Sequence, residues 1–140
     1  MPLRRLFLVI LPIYFAWEML QMPAFRGVPD SWLAATGVCA LAAIGDAVVV
    51  LALFALAVFA FRDPRWFAPP RIDRYAVIVA VGLMLQITIE WVAVYRLGWW
   101  SYRDVQPIVP GLGVGVLPLL QPIVLLPLTF WLLARWRTRT

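Results

Sequence analysis

The chain has 140 residues, 64% of them hydrophobic and 14% charged, with a formal net charge of +5. That length makes one compact unit, and that composition would leave a soluble fold with too much apolar surface in water, so lipid is its natural solvent. Lys, His and Asn are missing, which removes His-assisted nucleophiles, imidazole metal sites and side-chain Schiff bases.

Four apolar segments are each long enough to cross the hydrocarbon. The first, residues 6–22, opens with Arg4 and Arg5 and resembles a secretory leader. No small-x-small cleavage site follows, and Trp17, Glu18 and Gln21 stand where one would have to be, so it is read as a retained helix. Tyr14, Glu18 and Gln21 fall at i, i+4 and i+7, one stripe of that helix.

The second segment, residues 38–61, is rich in alanine, and Ala43 and Ala47 are one turn apart, a spacing that lets helices approach closely in lipid. Asp46 lies in its interior on the face of Cys39. The single cysteine excludes an internal disulfide or a CxxC pair and is read as a small apolar residue. The loop RDPRWFAPPRIDR follows, and Pro64, Pro69 and Pro70 make it irregular. Trp66 in this loop, with Trp131 and Trp136, is expected to anchor the interface.

The third segment, residues 75–95, carries Gly82, Gln86 and Glu90 on one stripe, followed by Trp91. After it, Arg96, Trp99, Trp100, Tyr102, Arg103 and Asp104 crowd one loop. These residues form an aromatic belt, or a lid in which an arginine meets an anionic headgroup or a carboxylate. The fourth segment, residues 112–133, holds Gln121 and follows a glycine-rich run from Pro110 to Gly115. With Pro118, Pro122 and Pro127, its first half is expected to be bent or partly unwound.

Nine arginines (Arg4, Arg5, Arg62, Arg65, Arg71, Arg74, Arg135, Arg137, Arg139) flank one side of the predicted spans and three (Arg26, Arg96, Arg103) the other. This asymmetry predicts an all-α, four-helix transmembrane bundle forming a single domain over residues 1–140, with both termini and the second loop cytoplasmic, in a bacterial inner membrane. It also accounts for the positive charge without nucleic acid.

Three carboxylates, Glu18, Asp46 and Glu90, lie within the apolar segments. Each costs about 2.5–3.5 kcal/mol at a helix centre. In this orientation Asp46 lies about 12 Å below the outer start of its helix at 1.5 Å per residue. Glu18, Glu90, Gln21, Gln86 and Gln121 fall in the same outer half. These residues are expected to line a pocket for a membrane lipid or lipophilic small molecule. The three acids would be the catalytic groups. Tyr14, Gln21, Gln86, Gln121, Trp91, Arg96, Trp99, Trp100, Tyr102 and Arg103 would be the ligand-binding ones. No cofactor is called for, although three carboxylates with glutamine oxygens also suit a divalent cation. The rival assignments are a proton- or cation-coupled transporter or channel subunit, including a homo-oligomer, and an accessory subunit whose polar cluster is structural.

Trp17-Glu18, Gly45-Asp46, Glu90-Trp91, Gly98-Trp99-Trp100-Ser101-Tyr102 and Pro118-Leu119-Leu120-Gln121 together resemble a group of small, uncharacterised bacterial four-helix inner-membrane proteins. That resemblance implies the architecture and no activity. A more distant similarity of architecture links the chain to the emopamil-binding-protein superfamily. It implies intramembrane acids and tryptophans around a sterol or cationic amphiphile. The isomerases of that group use a histidine, which this chain lacks.

Overall fold

A computed structural model describes residues 3–138. The two chain termini, Arg139 among their residues, lie outside the described residues. The order is α1 (Leu3–Gln21), a 3-10 turn (Met22–Ala24), β1 (Phe25–Arg26), α2 (Trp32–Phe61), α3 (Ile72–Trp91), a π-helical segment (Val92–Leu97), β2 (Ser101–Tyr102) and α4 (Val116–Thr138). All four helices are long and apolar enough to cross a membrane. α2 starts well before residue 38 because the Ser31 hydroxyl caps it, accepting from the Ala34 N–H, as a Ser in extended conformation does.

The fourth helix starts at Val116 rather than residue 112. Gly111 and Gly113 adopt φ of +83° and +69°, conformations open to glycine and closed to a helix. They fold residues 108–115 back on themselves, with a bridge between Ile108 and Gly115. Beyond that point α4 runs unbroken through Pro122 and Pro127, and α1 likewise contains Pro12.

α1 packs against both α2 and α4, and α3 packs on α4, whereas α2 and α3 meet only sparsely. The buried face of α2 is Ala35, Cys39, Ala43, Ala47, Val50, Leu53 and Ala57, spaced three and four apart as one helical stripe requires. At Gly82 a Cβ would come within 2.5 Å of Leu126 Cδ1, so the missing side chain leaves room for the end of Leu126 from α4.

Trp66 corrects the expectation of an interface anchor. It is fully buried at the α2–α3 end of the bundle. Its ring lies 4.6 Å from that of Phe130 and 5.9 Å from those of Phe61 and Tyr75. The turn around it is fixed by an Arg74–Asp63 ion pair at 2.7 Å and by the Tyr75 hydroxyl donating to the Phe67 carbonyl. Burying the indole and Phe67 beneath the loop closes the apolar core at that end. Trp131 and Trp136 do remain partly exposed, with Arg135 and Arg5 over their rings.

Candidate functional site

At the other end, the connections α1–α2 and α3–α4 lie side by side. β1 and β2 pair antiparallel, Phe25 opposite Tyr102 and Arg26 opposite Ser101. Gly98 at φ +63° ends the π-helical segment and reverses the chain, which no residue with a Cβ does as cheaply. That reversal returns Trp100 and Tyr102 toward the end of α3. The ribbon is tied further by the Arg103 N–H to the Ala24 carbonyl and by Arg103 Nε to the Phe25 carbonyl, both 2.9 Å.

Beneath the ribbon is a cavity of about 410 Å³, within the size range of small-molecule sites. Glu18, Gln21 and Met22 line it from α1 and the turn after it, and Val38, Cys39, Ala42, Gly45, Asp46 and Val49 from α2. Gln86, Ile89 and Glu90 come from α3, Gln121 from α4, and Phe25, Gly27, Val28, Trp99 and Trp100 from the connections. All three expected carboxylates and all three glutamines, drawn from four different helices, therefore face one cavity together with two of the loop tryptophans.

The acids differ in what holds them. Glu90 is buried and accepts at one oxygen from the Tyr102 hydroxyl (2.7 Å) and from Trp100 Nε1 (3.3 Å). Gln86 Nε2 lies 3.5 Å from its other oxygen. This carboxyl latches the ribbon to α3. Burial and the neighbouring Glu90 carboxyl hold the Tyr102 hydroxyl above the ordinary phenol range, so the latch keeps its donor. Glu18 accepts from Gln21 Nε2 at 2.8 Å, and its carboxyl stands beside that of Asp46, which also neighbours Gln121. Two acceptor atoms in this wall, Asp46 Oδ2 and Gln21 Oε1, are buried without a hydrogen-bond partner among the described residues. Such groups are rare in folded proteins.

Tyr14 is not in the main cavity. It lies one layer below, in a space of about 20 Å³ shared with Asp46, Gln86 and Gln121, large enough for a single water. Its hydroxyl adjoins that of Thr129, a fully buried residue.

Four further expected ligand residues lie outside the lining. Trp91 is exposed beside Tyr95, and Arg96 stacks over it at 5.1 Å. Arg103 spends its guanidinium on the Phe25 carbonyl, and Tyr102 touches Glu90 from outside the lining. Arg96 stands six residues past Glu90, a spacing that places it on another face of the helix, and it lies over Trp91 rather than beside a cavity carboxyl. The arginines of the recorded ion pairs lie beside Asp104, Asp73 and Asp63 instead. Among the described residues, no three carboxylate or thiol groups gather closely enough to hold a metal ion.

The residues that the helical stripes did not indicate are Phe25, Gly27 and Val28 of the first connection, Gly45 and Ile89 at the cavity edge, and Thr129. Two-residue strands leave no periodic signal, and a lone threonine in an apolar helix reads as a neutral passenger. Compared with protein-family models, with curated proteins and with solved structures, the chain matches none.

Proposed function

We propose that the protein is a small integral membrane protein that binds a lipophilic molecule with a cationic or hydrogen-bond-donating head, held by the Glu18–Asp46 side of the cavity. The observation that carries this is the imbalance of the lining, which holds three carboxyl groups and three glutamines but no arginine. A head that brings positive charge or N–H and O–H donors meets complementary groups there, while an anionic head meets like charge in a desolvated setting. In this scheme the termini are cytoplasmic and the cavity lies in the outer half of the inner membrane, as the arginine asymmetry requires.

Two carboxyls side by side can serve as acid and base at one place, so Glu18 and Asp46 also suit proton transfer on a bound substrate. Glu90 positions the roof. A through-going transport path has less support. Among the described residues, the polar groups below Asp46 reach only Tyr14 and Thr129, and the fully buried Leu6, Ile10, Phe130 and Leu133 follow.

The test uses the purified protein in phosphatidylcholine nanodiscs, with dodecyltrimethylammonium as probe and fluorescence of the cavity tryptophans as signal. Asp46→Asn and Glu18→Gln are expected to weaken binding at least tenfold, about 1.4 kcal/mol, at unchanged unfolding temperature, and laurate is expected not to compete. Equal binding of laurate, or undiminished binding by the double variant, would refute the assignment.

A further inference from the structure

The cavity is closed on three sides and above. α1 packs against α2 and α4, and α4 against α3, which closes the back and flanks. The floor is Val49, Val50, Leu53, Gly82 and Leu126 around the small lower space. The roof is the β1–β2 ribbon, held down by the Glu90 latch and the Arg103 bonds. The remaining side is the gap between α2 and α3. These helices meet sparsely, and the residues at the gap, Val38, Gly45 and Ile89, line the cavity while being exposed on the bundle's apolar flank. At Gly45 a Cβ would meet nothing within 4 Å. The glycine therefore occupies an open rim and is not forced by packing.

We infer that the cavity is loaded sideways from the bilayer through the α2–α3 gap, by a single-chain amphiphile whose head reaches Glu18 and Asp46 while its chain lies over Gly45 and Ile89. This rests on the proposed function for the chemistry of the head, and adds the direction of access and the single chain. The rim suits an alkyl chain because Val38, Gly45 and Ile89 present no polar side chain along it. The head suits the inner end because the Glu18 and Asp46 carboxyls and Gln21 line it. A chain held in this way stays in the hydrocarbon as its head is captured, so its apolar surface never enters water.

Gly45 makes the gap testable. Gly45→Leu narrows the rim without displacing a neighbour, and replacing a mid-helix glycine favours the helix. Gly37 is the control. It lies on the same helix, is exposed, has nothing within 4 Å of a Cβ, and lies outside the cavity lining. Ile89→Phe narrows the gap from α3 and serves if the first variant fails to fold.

Two probes are measured in phosphatidylcholine nanodiscs. One is 11-bromoundecyltrimethylammonium, whose bromine quenches the tryptophans, and the other is chainless tetramethylammonium. Gly45→Leu and Ile89→Phe are expected to cut the association rate of the brominated probe at least tenfold while leaving tetramethylammonium binding within twofold. Gly37→Leu is expected to match the parent protein for both. If both rim variants load the brominated probe at the parent rate, or if Gly37→Leu slows it equally, lateral loading is overturned and the proposed head site stands. If the parent protein binds neither probe, the proposed function fails and this inference fails with it.

Discussion

Removing the Glu90 carboxyl tests whether the roof is held by a latch or only by the chain that makes it. In Glu90→Leu the Tyr102 hydroxyl and the Trp100 indole N–H lose their shared acceptor. A fully buried donor left without a partner costs about 1–3 kcal/mol, and because both of these are half-buried the two together cost about 2–3 kcal/mol while the roof stays closed. The alternative open to the protein is to lift the ribbon and let water take both donors, at the expense of the β1–β2 pair. Either response is measurable. A closed roof lowers the unfolding temperature in detergent by on the order of 10 °C. An open one speeds hydrogen exchange at the Arg103 amide, whose bond to the Ala24 carbonyl belongs to the ribbon. Glu90→Gln should do neither, because the amide oxygen can take the place of the oxygen shared by Tyr102 and Trp100, and Gln86 can turn its own amide to accept from the new NH₂. Should Glu90→Leu match the parent in both measurements, or Glu90→Gln fall as far as Glu90→Leu, the latch assignment would be wrong.

At the opposite end, hydrogen bonds from Arg74 and the Arg65 backbone hold the Asp63 carboxyl below its ordinary 3.8, so its contribution is present above about pH 4 and fades as the pH falls through the folded-state value. Acid titration followed by Trp66 fluorescence should show a component that Asp63→Asn lacks; an identical titration in that variant would remove the ion pair from the account of this turn. The proposed cytoplasmic placement of the α2–α3 turn predicts that, in a Cys39→Ser background, Ser101→Cys in spheroplasts reacts with a membrane-impermeant maleimide and Ala68→Cys does not. The reverse labelling pattern would invert the proposed orientation.

The parts of the fold legible in the sequence were those carried by periodicity. Apolar runs marked four helices, and the stripes Glu18–Gln21 and Gln86–Glu90 marked the faces that meet at the cavity. Composition alone could not show that Trp66 turns inward, because an aromatic residue between arginines in a proline-rich loop suits an interface equally well. Only the surrounding rings of Phe61, Tyr75 and Phe130 decide it. The expected lid put Arg96 and Trp91 in the site, but they stand six and one residues past Glu90 and so on other faces of the helix, where the guanidinium lies over the Trp91 ring. The pairing of Phe25 with Tyr102 joins residues far apart in sequence through strands too short to have a pattern.

That pairing also fixes an order of assembly. Phe25 cannot meet its partner until residue 102 has been synthesised, which is after the whole of α1, α2 and α3, and the wall contributed by Gln121 comes later still. Under the proposed membrane placement, the carboxylates of α1 and α2 therefore reach the bilayer before the groups that cover them exist. For that interval Glu18 and Asp46 have only each other, Gln21 and whatever the insertion machinery offers.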